Sequence, residues 1–149
     1  MQLRHSLDFD DVKAALEAAD REAAHNGWAV SIAILDDGGH LLGFLRRNGA
    51  TALSAQFAVD KARTAALSRR ESKFYDEAVK GGRLAMLAAQ NVLPLEGGVP
   101  VLVGGHCLGA IGVSGVKSAE DAQIAAAGLR ILLDRVPIGG GTPGGDAGL

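Results

Sequence analysis

The chain has 149 residues with 15 Lys and Arg against 17 Asp and Glu, a formal net charge of -2. No block of one sign stands out, which argues against a nucleic-acid partner held by phosphate neutralisation. Apolar residues make up 48% and charged residues 21%, the balance of one folded domain, and a lone cysteine, Cys107, permits neither an intrachain disulfide nor a Cys/His zinc array.

The N-terminus carries no apolar signal core, and nowhere do enough apolar residues run together to span a bilayer. The expectation is a cytoplasmic protein without a membrane partner. Residues 1–137 read as a single domain. Residues 138–149 form a Gly/Pro-rich tail with no periodic apolar positions, which reads as flexible.

From Phe9 to Asn26 the apolar positions Val12, Ala15, Leu16, Ala19 and Ala23 recur at helical spacing, with Ser6 or Asp8 as N-cap and Gly27 as the stop. Trp28 to Asp36 then alternates two apolar or small faces, a strand covered on both sides. Asp36-Asp37-Gly38-Gly39 supplies a tight turn, and His40 to Arg46 returns as the second strand of a hairpin.

Thr51 to Ser68 has no Gly or Pro, and a stripe of alanines joins its larger apolar residues, so it reads as a helix packed on two sides. Phe74 to Gln90 reads as helix with a break at Gly81-Gly82. Val92 to Leu95 is a candidate short strand, and Pro100 to Val103 and Cys107 to Ser114 form a second hairpin around Gly104-Gly105-His106. Ser118-Ala119-Glu120-Asp121 opens a last helix that stops at Val136-Pro137. The expected fold is α+β, a mainly antiparallel sheet of four or five strands flanked by helices.

Few residues stand out for chemistry. His5, His25, His40 and His106 are dispersed, and no P-loop or nucleophile elbow is present. Lys61 sits on the flank of an apolar stripe beside Asp60 and Arg63. Two readings are open for it: an anion anchor in a cleft, or a stem laid along the core whose ammonium pairs with a carboxylate. Gly97, Gly98, Ser114 and Gly115 lie where strands end and could bring backbone N–H groups to a ligand, or serve only as turns. Neighbouring His106 and Cys107 would point to opposite faces of a strand, a poor catalytic pair.

Four blocks, VSIAILDDGGHLLGFLR from Val30, DKARTA from Asp60, EGGVP from Glu96, and GAIGVSG from Gly109 followed by Glu120-Asp121, together resemble the GlcG/HbpS family, also called the haem-degrading or DUF336 domain. That family includes the C-terminal domain of the PduO-type corrinoid adenosyltransferases. The resemblance implies a five-stranded antiparallel sheet with flanking helices, profilin-like in layout, and self-assembly into homo-oligomers, dimers or larger. It also implies a small-molecule site with Lys61, Gly97, Gly98, Ser114 and Gly115 around the ligand. For haem, His25 matches the position of an axial histidine, and a second axial ligand has no counterpart.

The leading functional reading is a binding protein for a small anionic or cofactor-like molecule. The alternative is a cofactor-independent isomerase, lyase or hydrolase of a small oxygenated carboxylate, in which Lys61 would stabilise negative charge and Asp36, Glu96 or His25 would move a proton. A third reading is an assembly module without a ligand.

Overall fold

A computed structural model describes residues 1–137; the expected tail, 138–149, lies outside the described residues. The elements run α1 (Phe9–Asn26), β1 (Ser31–Asp36), β2 (Leu41–Arg46), α2 (Ala52–Ser68), α3 (Lys73–Lys80), a 3-10 turn (Leu84–Ala88), β3 (Gly98–Val103), β4 (His106–Ser114) and α4 (Ser118–Asp134).

Local chemistry sets these boundaries. Asp8 caps α1 by accepting the Asp11 N–H at 2.8 Å, and the Asp11 carboxylate accepts the Asp8 N–H at 3.0 Å. At the far end Gly27 takes φ 68°, and the Trp28 N–H closes back on the Ala23 carbonyl at 2.9 Å. That closure delays β1 to Ser31, three residues after the expected start at Trp28. Thr51 caps α2 through the Ser54 N–H, and Glu120 accepts the Lys117 N–H at the start of α4.

The sheet is antiparallel throughout, in the order β2-β1-β4-β3. One face carries Ile32, Ile34, Val99, Val101, Ile111 and Val113 against α1 and α4. The other carries Ala33, Leu35 and Ala110 against Ala58, Ala62, Ala65 and Ala66 of α2. The molecule is therefore three layers, as the two apolar faces of β1 require. The alanine stripe lets α2 lie almost on the backbone: a Cβ at Gly112 would sit 2.1 Å from the Ala58 carbonyl oxygen.

The sheet has four strands, not the five that the resemblance implied. The candidate strand Val92–Leu95 is not one, because its backbone groups are spent elsewhere. Asn91 is left-handed at φ 59°, the Leu93 N–H donates to Thr64 Oγ1 at 2.8 Å, Pro94 has no N–H, and the Leu95 N–H turns back to the Leu93 carbonyl at 2.8 Å. No row of donors remains for a ladder. Pro100 instead falls inside the edge strand β3, where a missing N–H costs no ladder bond.

Candidate functional site

The DKARTA segment is the middle of α2, and its side chains divide between the interior and a cavity on the helix flank. Lys61 is the interior one, only 2% exposed. Its ammonium donates to Asp121 Oδ2 at 2.9 Å and to the Val113 carbonyl at 3.1 Å. Asp121 belongs to α4, on the opposite side of the sheet, so the lysine passes from one helical layer to the other at the end of β3 and β4. The passage exists because residue 97 is glycine: a Cβ there would lie 3.0 Å from Lys61 Cδ and Nζ and 2.7 Å from the Val113 oxygen. Gly98 next to it lies under the α2 backbone, its missing Cβ 2.2 Å from the Lys61 carbonyl oxygen.

The second Asp121 oxygen accepts the Val116 N–H at 3.1 Å. Burial pushes the Asp121 carboxyl above the ordinary aspartate value, against the pull of the Lys61 charge and of the hydrogen bonds it accepts. Ser114, 7% exposed, ends β4 opposite Ser31. Gly115 turns at φ 144°, where a side chain would meet the Ala29 carbonyl. The structure thus gathers Lys61, Gly97, Gly98, Ser114 and Gly115 in one place, the Gly115 backbone at the Asp121 carboxylate. It adds Asp121, the unnamed carboxylate of the pairing reading.

Asp60, Arg63 and Thr64 meet the strap 91–97 at its Asn91–Leu93 end. Thr64 Oγ1 donates to the Asp60 carbonyl and accepts the Leu93 N–H, both at 2.8 Å. Asp76 accepts the Glu96 N–H at 3.0 Å, and Ser72 Oγ accepts the Gly98 N–H at 2.8 Å while its own N–H donates to the Gly98 carbonyl at 3.0 Å. Pinned at these points, the strap leaves a cavity of about 200 Å³ lined by Asp60, Arg63, Asn91, Val92 and Leu93. Arg63 Nη1 donates to Asp60 Oδ1 at 3.1 Å, and both side chains are about one-third exposed. The guanidinium's Nε–Nη2 edge and Asp60 Oδ2 have no partner among the described residues. Sequence reasoning noted Asp60 and Arg63 only as neighbours of Lys61, and it missed Asn91–Leu93 because an apolar run beside a proline gives no sign of a cavity wall.

The remaining candidates stand apart. Asp36 pairs with Gly109 while Ser31 pairs with Ser114, so about 16 Å of strand separates Asp36 from the Lys61 end of the sheet. Desolvation works against its charge, but N–H groups from His40 and Gly38 and the His40 ring outweigh it and hold Asp36 below the ordinary value. It is a turn residue. Glu96 lies on the strap with its carboxylate 3.9 Å from Lys73. His25 is exposed in the last turn of α1. Burial pushes the Cys107 thiol up, away from the thiolate that a nucleophile needs. Among the described residues no group of three or more His, Cys, Asp or Glu converges on a metal position, and no helix is long and apolar enough to cross a membrane.

Comparison with known proteins gives the class. The model of the family described as "Haem degrading protein HbpS-like" matches residues 7–130. Protein GlcG of Escherichia coli K12 is 50% identical over 114 residues, 76% of this chain and 85% of the relative. The chain belongs to the HbpS-like family, as the four motif blocks indicate. A crystal structure of a double mutant of Streptomyces reticuli HbpS superposes with a TM-score of 0.81 at 29% identity, over 89% of this chain and 90% of that one. A PduOC–haem complex superposes at 0.77 with 25% identity, over 85% and 95% of the two chains.

The haem of that complex raises the question of fit. Among the described residues, the larger grooves with apolar walls include one of about 370 Å³ between α1 and β2, walled by Phe9, Val12, Leu16 and Leu42, and one of about 330 Å³ along β3, walled by Arg69, Arg70, Pro100 and Leu133. No histidine lines either groove. With His25 exposed and outside all of these cavities, one chain alone does not set an axial histidine over an apolar pocket, and the residues present do not fit haem.

Proposed function

We propose that this HbpS-like chain is a small-molecule-binding protein whose ligand is a small carboxylate held by Arg63 in the cavity under the strap. The observation that carries this reading is the free Nε–Nη2 edge of a guanidinium fixed by Asp60 at the wall of a polar cavity. Such an edge matches a carboxylate with two parallel hydrogen bonds. The volume of about 200 Å³ equals about six or seven liquid waters and falls short of the roughly 300 Å³ at which pockets for drug-sized ligands begin. The ligand is therefore a metabolite of a few carbons.

In this reading Lys61, Gly97, Gly98 and Ser114 frame the site. Their contacts fix the strap and α2 against the sheet, and the Lys61 charge is already matched by Asp121. Leu41 and Leu42 on the edge strand β2 are 54% and 41% exposed, an apolar edge that supports association into a homo-oligomer.

The experiment is an NMR titration with propionate. Backbone amides of 60–64 and 91–93 shift together and saturate, and Arg63→Gln abolishes the response. Shifts that do not saturate, or that persist in Arg63→Gln, contradict the assignment.

A further inference from the structure

Resting on that reading, we infer that the ligand is a carboxylate bearing a hydrogen-bond donor on the adjacent carbon: a 2-hydroxy acid or a 2-amino acid, not a simple fatty acid. The cavity offers more than Arg63. A site for a bare carboxylate needs cations and N–H groups, and a lone carboxylate in its wall would repel the ligand. Here the guanidinium shares the cavity with Asp60, whose Oδ1 takes one Arg63 N–H at 3.1 Å and whose Oδ2 has no donor among the described residues.

An ionised carboxylate only accepts hydrogen bonds, so the free oxygen calls for a donor from the ligand. Asp60 and Arg63 are three residues apart on α2, so they project from one side of the helix as neighbours, an anion beside a cation. A ligand whose carboxylate lies on Arg63 presents to Asp60 the substituent of the next carbon. The asparagine completes the set. Asn91 lines the same cavity, and an asparagine side chain carries both an amide donor and a carbonyl acceptor. Its backbone stays left-handed at φ 59°, a conformation that asparagine tolerates better than most residues with a side chain.

The remaining walls are Val92 and Leu93. They leave apolar room for a short carbon chain but no second cation for a dicarboxylate. Charge separates the two donors. A hydroxyl leaves the ligand a net anion in a cavity where Asp60 and Arg63 cancel, whereas an ammonium makes it a zwitterion that mirrors them. Both place a donor at the same atom.

The test uses three probes of nearly equal size: propionate, lactate and alanine, titrated into the full chain and followed by the amide shifts of 60–64 and 91–93. A donor met by Asp60 gives lactate or alanine an affinity about tenfold or more above propionate. Tighter lactate identifies a hydroxyl and tighter alanine an ammonium. Asp60→Ala brings the ratio to propionate close to one for either. Asp60→Asn keeps a preference for lactate, since the amide oxygen still accepts, and removes a preference for alanine. Equal affinities for the three, all lost in Arg63→Gln, overturn the inference and leave the carboxylate site standing. No saturable binding of any probe overturns both. Both side chains are about one-third exposed, and a melting curve on each variant separates lost binding from lost fold.

Discussion

Replacing Lys61 by Met keeps the stem that packs beside Gly97 and removes the charge that meets Asp121. The two side chains are 3% and 2% exposed, so water cannot take over the lysine's role and the variant strands a buried carboxylate. Losing one partner of such a pair costs about 3–5 kcal/mol. The cost also has a ceiling, because the stranded group can take up a proton. From the ordinary aspartate value of 3.8, protonation costs about 4.4 kcal/mol at pH 7 and about 1.6 kcal/mol at pH 5.

The sign follows from linkage. In the variant the folded-state carboxyl titrates above its unfolded value, so the stability it contributes is present at low pH and lost as pH rises through the folded value. Urea unfolding of wild type and Lys61→Met should therefore show a deficit of about 4 kcal/mol at pH 7 that shrinks to about 2 kcal/mol or less at pH 5. Lys61→Met with Asp121→Leu, which removes both charges, should recover most of it. A deficit below about 1 kcal/mol at pH 7, or one equal at the two pH values, would refute the buried-pair account.

Two further substitutions probe the frame. Gly97→Ala puts a Cβ 2.7 Å from the Val113 oxygen at φ 134° and should cost about 2 kcal/mol or more by thermal unfolding; a wild-type midpoint would show that Lys61 does not need the gap. Thr64→Val strands the Leu93 N–H that now donates at 2.8 Å. It should cost about 1–3 kcal/mol and speed amide exchange across 91–96, and unchanged exchange there would mean that the strap is held by Asp76 and Ser72 alone.

The layers and most element ends were legible because local chemistry decides them. Asp8, Gly27, Thr51 and the Gly81-Gly82 break act within a few residues of where they stand. The two-faced pattern of β1 likewise announced helices on both sides. The fifth strand failed for a reason outside the local pattern. Val92–Leu95 has the residues of a strand, but the Leu93 N–H is taken by Thr64, the Leu95 N–H by its own turn, and Pro94 has none to give.

The site was legible in residue types more than in roles. Lys61 was visible, and so was a pairing reading. Its partner stands 60 residues away, in a stretch whose Glu120-Asp121 looks like helix-capping chemistry. Only the three-dimensional path past Gly97 joins the two. Asp60 and Arg63 looked ordinary because an i,i+3 pair on a helix is most often a solvated surface pair. What distinguishes them is the strap that crosses beside them.

The division of the DKARTA segment, Lys61 inward to Asp121 and Arg63 outward to a ligand, is tested most directly by a crystal structure of the protein soaked in lactate. The account expects the ligand carboxylate within hydrogen-bond distance of Arg63 Nε and Nη2 and its hydroxyl on Asp60, with Lys61 still bonded to Asp121. A carboxylate seated on Lys61, with Asp121 released from it, would contradict the account.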